Sequence, residues 1–204
     1  MYGQDYLNQI SAQNRPVKAT KPGILNSKFF MIGMIGIVAL IIIIIIGSIL
    51  GGNKSDEKNL SFALKLHLDN TTEIISSYQS SVKSSNLRSY SASLTSVLSN
   101  TNRELTDYIT EVYDYKEKSI PEKIVEEATI LKDALDTDLF EAKINGNLDR
   151  IYAHKMVYEI SLLMSEEARL ISMTKNSGYK NALTESYESL NTLYDSFNKF
   201  SETK

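Results

Sequence analysis

The chain has 204 residues, of which 22 are basic and 25 acidic, so its formal charge at pH 7 is −3. It contains no cysteine, which excludes a disulfide scaffold, a thiol nucleophile and cysteine-based metal sites, and its two histidines leave little room for a Ser-His-Asp triad. The near-neutral charge argues against a dedicated nucleic-acid-binding protein, so we expect no nucleic-acid partner.

The first 28 residues form a polar stub. Gln, Asn and Tyr are frequent there, with two prolines and few apolar side chains. Such a segment cannot bury a core, so we expect residues 1–28 to be disordered. Two interpretations remain open for its function: a short docking motif through Tyr6, Leu7 and Ile10, or an unselected tail.

An uncharged segment from Phe29 to Leu50 follows the stub, and ten of its 22 residues are Ile. As a helix it would rise about 33 Å, which matches the hydrocarbon core of a bilayer of about 30 Å. The apolar core of a cleaved signal peptide is shorter, so we favour an uncleaved membrane anchor with the lipid bilayer as partner. Gly47 and Gly51 form one G-x-x-x-G spacing at its outer edge, which indicates a weak homodimer.

Basic residues are unequally distributed across the span. Four precede it and two follow it closely, namely Arg15, Lys18, Lys21 and Lys28 before, and Lys54 and Lys58 after. The positive-inside rule therefore places the N-terminus in the cytoplasm and the C-terminal part outside. We expect a single-pass protein of the cell membrane, in which a linker at 51–54 leads to an exterior domain at 55–204.

Residues 55–204 repeatedly show the helical period and no long strand-like alternation, so we predict five helices. Helix A follows the N-cap Ser55, and helix B begins near Asn86. Helix C opens with a capping box of Ser119 and Glu122 and stops at Asn145-Gly146. Helix D follows Asn147 and is broken at Gly178, and helix E carries the remaining apolar positions.

Each predicted helix has one apolar stripe that needs partners to be buried. The stripes consist of Leu60, Leu64, Leu68, Ile75, Tyr78 and Val82 in A; Leu87, Tyr90, Leu94, Val97, Leu98, Leu105, Tyr108, Ile109 and Val112 in B; Ile124, Ala128, Leu131, Leu135 and Leu139 in C; Leu148, Tyr152, Met156, Ile160, Leu163 and Leu170 in D; and Tyr179, Leu183, Tyr187, Leu190, Leu193, Phe197 and Phe200 in E.

Long helices joined by short turns pack as antiparallel neighbours. We therefore expect A and B to form one hairpin, D and E to form another, and C to cross between them. The predicted fold is all-α, with an antiparallel bundle of four long helices plus a crossover helix.

Two segments carry a resemblance to a known family: "KSSNLRSYSASLTSVLSNTNREL" at 83–105 and "ILKDALDTDLFEAKINGNLDRIYAHKMVYE" at 130–159. With the final hairpin, they resemble the exported bacterial ferritin-like four-helix-bundle family, whose function is unknown. The resemblance implies a ferritin-like fold for 55–204. The chain departs from the family at Ile160, where the family often has His, and this puts any metal role in doubt.

The ligand set of a di-iron bundle includes Glu-x-x-His twice. Leu64 and Ile151 stand three residues before His67 and His154, so neither histidine completes the motif. We therefore expect no metal, no other cofactor and no catalytic residue. His67 lies beside the stripe of helix A, where we interpret it as an interface histidine that reaches solvent. A ligand groove lined by Tyr90, Tyr108, Tyr152 and Tyr187 is a minor alternative to a core role for these tyrosines.

These observations favour a non-enzymatic membrane protein whose exterior helical bundle binds another envelope protein or has a structural role in the envelope. One alternative is a membrane-anchored ligand or stress sensor that works with a partner, since a stub of 28 residues is too short for an output domain. The other alternative is a ferritin-like metal-handling protein.

Overall fold

A computed structural model describes residues 54–202 of the chain. The predicted stub, the predicted span Phe29–Leu50 and the linker up to residue 53 lie outside the described residues. The part of the chain that is described is helical, with no strand, which confirms the predicted all-α class. None of the helices within it is long and apolar enough to cross a membrane.

Five α-helices account for most of the described residues: α1 Lys54–Tyr78, α2 Ser85–Tyr113, α3 Glu122–Ile144, α4 Leu148–Met173 and α5 Ser177–Glu202. One-turn 3₁₀ helices at Gln79–Ser81 and Glu117–Ser119 lie in the first two connections. The five helices agree in number and order with the five that the sequence predicts.

The helices pack as two hairpins and a bridging helix. α1 packs against α2, α4 packs against α5, and contacts of α2 with α5 and of α1 with α4 close a four-helix bundle. α3 packs on the outside of this bundle, against α1 and α4, and so links the two hairpins. The bundle and the crossing position of the third helix are as predicted.

The core is formed mainly by the predicted stripes. Every predicted position of α1 and α4 is buried, and so are most of those of α2 and α5. The periodicity missed Phe62 and Ile74, which are also buried, and it wrongly placed Val112 in the core, since that side chain is exposed. In α3 only Leu135, Leu139 and Ala142 are buried, because this helix lies on one side of the bundle rather than inside it.

Two ends of the bundle can be distinguished. At the N-terminal end, where α1 begins, the Tyr108 hydroxyl of α2 donates to Glu57 of α1 at 2.6 Å and lies 3.5 Å from Thr174, which follows α4. At the far end, the Asp149 carboxylate of α4 accepts hydrogen bonds from the backbone N–H groups of Lys83 and Ser84 at 2.8 and 2.9 Å. Asp149 thereby joins the turn of the first hairpin to the start of the second.

Three predicted helix boundaries are wrong. Ser55 is not the N-cap of the first helix, because α1 already includes Lys54 and Ser55 lies inside it. Ser119 does not cap helix C, because its hydroxyl bonds to the backbone of Lys116, and α3 begins at Glu122 after Pro121. Gly178 does not break helix D either. α4 ends at Met173, and the Asn176 side chain accepts from the Tyr179 N–H, so that α5 already includes Gly178 in its first turn. The stop at Asn145-Gly146 is confirmed, and Gly146 has the left-handed φ of 72° that favours glycine.

Candidate functional site

His67 is held between two carboxylates at the seam of α1 and α4. Its Nε2 lies 2.9 Å from Oε2 of Glu159, and its Nδ1 lies 3.0 Å from Oε2 of Glu166. The side chains of His67, Glu159 and Glu166 are 14, 13 and 26 % exposed. The two glutamates are seven residues apart on α4, so they share one face of the helix.

This triad of His67, Glu159 and Glu166 keeps the imidazole charged. Burial alone lowers the pKa of His67, but the nearby charges of Glu166 and Glu159 and their hydrogen bonds outweigh it and raise the pKa to about 10. Both ring nitrogens therefore donate, and neither has a lone pair for a metal or for accepting a proton. The arrangement suits a structural ion cluster that fixes α1 against α4.

Other Glu and His side chains of the bundle do not join the triad. Glu73 pairs with Lys132 of α3 at 2.6 Å, Glu111 is exposed, and His154 is exposed on α4. Within residues 54–202 no group of three or more His, Asp or Glu side chains is arranged to hold a metal ion.

A second polar cluster lies in the core beside the triad. Glu167 is fully buried, and its Oε1 accepts a hydrogen bond of 2.6 Å from Ser186 of α5. The Thr101 hydroxyl of α2 lies 2.6 Å from the Ser186 hydroxyl. Burial raises the pKa of Glu167 to about 8; the Ser186 hydrogen bond lowers it and the charge of Glu166 raises it. At pH 7 the carboxyl group is therefore mainly protonated and neutral, as its apolar surroundings favour.

The four tyrosines considered for a ligand groove lie in different places. Tyr152 is buried and bonds to Ser91 at 2.8 Å, and Tyr90 packs edge-on against Phe197, which Tyr152 also contacts. Tyr108 stacks on Tyr179 at the other end of the bundle, with ring centroids 3.9 Å apart.

On one α-helix, the 18 residues between Tyr90 and Tyr108 correspond to about 27 Å. Tyr187 is half-buried on α5. The structure therefore brings Tyr90 and Tyr152 together and places Tyr108 apart from them.

Exposed apolar side chains are concentrated on α3. Among the described residues five large apolar side chains are exposed, and four of them are on this helix: Val125 at 41 %, Ile130 at 57 %, Phe140 at 55 % and Ile144 at 68 %. Single exposed apolar residues are ordinary, whereas larger apolar patches mark sites of interaction. Phe140 and Ile144 are four residues apart and therefore neighbours on the helix surface.

The exposed charges of α3 are mainly acidic. The exposed acidic residues are Glu122, Glu126, Asp133, Asp136 and Glu141, and the exposed basic residues are Lys123 and Lys143. We call these charged residues and the four exposed apolar residues together the outer face of α3. It carries a net charge of −3 around its apolar side chains.

Polar contacts hold α3 in place beneath this face. Asn70 of α1 donates to the Ala128 carbonyl at 3.1 Å, and the Tyr78 hydroxyl donates to Asp136 at 2.8 Å. Lys155 of α4 pairs with Asp138. α3 therefore runs parallel to α1, and its C-terminal end, with Phe140 and Ile144, lies towards the far end of the bundle.

Comparison with known proteins gave no match: no family model, no curated protein and no solved structure resembles the chain significantly. The site is therefore interpreted from its own geometry.

Proposed function

We propose that the chain is a non-enzymatic, single-pass membrane protein that presents its helical bundle outside the cytoplasm to bind another envelope protein. The observation that carries this proposal is the apolar content of the outer face of α3. The membrane anchor and its orientation rest on the uncharged segment Phe29–Leu50 and on the basic residues that precede it.

The exposed apolar residues favour a binding role over a purely structural one. Leu135 and Leu139 already supply the contact that attaches α3 to the bundle. Phe140 and Ile144 keep 55 and 68 % of their surface in water, so burying the rest would contribute about 1–2 kcal/mol for each. A partner that covers them would gain this free energy.

Site-specific photo-crosslinking in intact cells tests the proposal. A photoreactive amino acid at position 140 of the full-length chain should capture one distinct protein. The matched control is position 188, where Glu188 is exposed on α5. No crosslinked product at 140, or the same products at 140 and 188, would argue against a binding role of α3.

The ferritin-like assignment also stays a proposal. Two long hairpins linked by a helix that crosses between them are consistent with it. Elemental analysis of the purified chain would show whether it binds a metal. Stoichiometric iron, manganese or zinc would favour the metal-handling alternative over the binding module.

A further inference from the structure

We infer that the outer face of α3 binds a basic amphipathic helix of the partner protein. This inference rests on the proposed function and specifies the chemistry of the partner. Ile130 and Ile144 are two heptads apart on α3, with the polar Thr137 midway between them, and Phe140 lies one turn before Ile144. Ile130, Phe140 and Ile144 therefore lie along one side of the helix, where the apolar side chains of a second helix can pack.

The charge of the outer face selects a basic partner. Five acidic and two basic exposed side chains surround the apolar positions. A helix with Lys or Arg beside its apolar stripe complements this pattern, and such complementarity raises association rates and suppresses wrong partners.

The same charge disfavours two other occupants. A second copy of the chain would bring two surfaces of net charge −3 together, and like charges across an interface are repulsive. Anionic lipid headgroups attract basic surfaces and not acidic ones. A cationic protein segment is therefore the occupant that the charges favour.

The face is also formed in advance of binding. Leu139 of α3 is fully buried against the bundle. Tyr78 of α1 donates a hydrogen bond to Asp136, and Lys155 of α4 pairs with Asp138. A helix that is already fixed loses little conformational entropy when a partner docks, so more of the contact energy appears as affinity.

Two synthetic peptides of about three heptads test the inference, one with Leu and Lys and one with Leu and Glu in the same pattern. The full-length chain is placed in phosphatidylcholine nanodiscs, and binding is measured by fluorescence anisotropy against empty nanodiscs. We expect the Lys peptide to bind at least about tenfold more tightly than the Glu peptide and to weaken as salt rises.

Variants assign the binding to α3. Phe140→Ser with Ile144→Ser should weaken the Lys peptide by at least about tenfold, whereas Val112→Ser, which changes an exposed apolar residue of α2, should leave it unchanged. Glu126→Lys with Glu141→Lys should reverse the preference between the two peptides. Circular dichroism checks that each variant remains helical.

Equal binding of both peptides, or a preference that the charge-reversal variant retains, would overturn the inference. Self-association in sedimentation experiments that is lost in the Phe140→Ser, Ile144→Ser variant would also overturn it, in favour of a second copy. These outcomes are separate from the proposed function: a crosslinked protein at position 140 without the charge preference would refute the basic partner and leave the binding role intact.

Discussion

At the scale of single residues, His67 shows where sequence patterns stop being informative. Its place beside the apolar stripe of α1 and at a helix interface was predictable, but the two carboxylates that hold it and its low exposure of 14 % were not. The partners Glu159 and Glu166 are 92 and 99 residues away along the chain. The only local signal was that these two glutamates share a face of α4, and periodicity does not say which helix that face meets.

The triad should be a sensitive point for stability. His67→Ala removes the cation that two poorly exposed carboxylates share, so we expect a loss of about 3 kcal/mol in the free energy of unfolding. Urea denaturation of residues 54–204 would measure it. Arg103→Ala is the control, because its ion pair with Glu104 is largely exposed and should contribute less than about 0.5 kcal/mol. Equal losses in both variants would mean that the triad does not join α1 to α4.

Glu167 gives a prediction of pH dependence. In the folded protein its pKa is raised to about 8, above the ordinary value of 4.5 that applies to the unfolded chain. Between these values the folded state binds more protons, so the free energy of unfolding falls as pH rises from about 4.5 to about 8.

Glu167→Gln removes this contribution, so the variant should gain stability relative to the wild type as pH rises through that window. Denaturation curves of both proteins at pH 5, 6.5 and 8 would measure the difference. A difference that does not change with pH would show that Glu167 ionises normally in the folded protein.

At the scale of helices, α3 is the element that the sequence described least completely. Its existence, its end at Asn145-Gly146 and its crossing role were predictable. The burial of its apolar stripe was less predictable, since Ile124, Ala128 and Leu131 are only half-buried. An amphipathic pattern shows which face is apolar, but it does not show that a helix lies outside the bundle, nor that Val125, Ile130, Phe140 and Ile144 stay uncovered.

Adjacent residues of α3 make a matched test. Leu139 is fully buried and Phe140 is 55 % exposed. Leu139→Ala should cost about 2–5 kcal/mol of stability, because it leaves a cavity between α3 and the bundle. Phe140→Ala should change stability by less than about 0.5 kcal/mol, as usual for a surface position. Thermal and urea unfolding would compare them; the reverse ranking would contradict the register of α3.

At the scale of the whole molecule, the pairing of the helices followed from physical rules that act over short distances. Long helices joined by turns of three to six residues pack side by side in antiparallel orientation, so the hairpins α1–α2 and α4–α5 were predictable. Contacts between the hairpins were not, because the bonds of Asp149 to Lys83 and Ser84 and the bond of Thr101 to Ser186 join residues 65 to 85 positions apart in sequence.

The orientation in the membrane is testable on the intact chain. In the proposed topology, a reporter enzyme fused after Lys204 should be active only outside the cytoplasm, because the positive-inside rule assigns the side with the basic residues before Phe29 to the cytoplasm. Protease added to spheroplasts should digest the fusion. Protection of the C-terminal part would overturn the proposed topology.

The bundle should fold without the segment that precedes it. Residues 54–202 enclose one continuous apolar core, so a fragment of residues 54–204 should be soluble and helical. Circular dichroism and sedimentation would test this. A fragment that aggregates or lacks helical signal would show that folding requires the N-terminal residues.

The odd number of helices has a mechanical consequence. α1, α3 and α5 run in one direction and α2 and α4 in the other, so residues 54 and 202 lie at opposite ends of the bundle, about 37 Å apart for a helix of 25 residues. Tension applied between the two termini therefore acts along the helix axes. A pulling experiment with optical tweezers would distinguish sliding of the packed helices, which breaks the core contacts together in one step, from stepwise unwinding of the terminal helices.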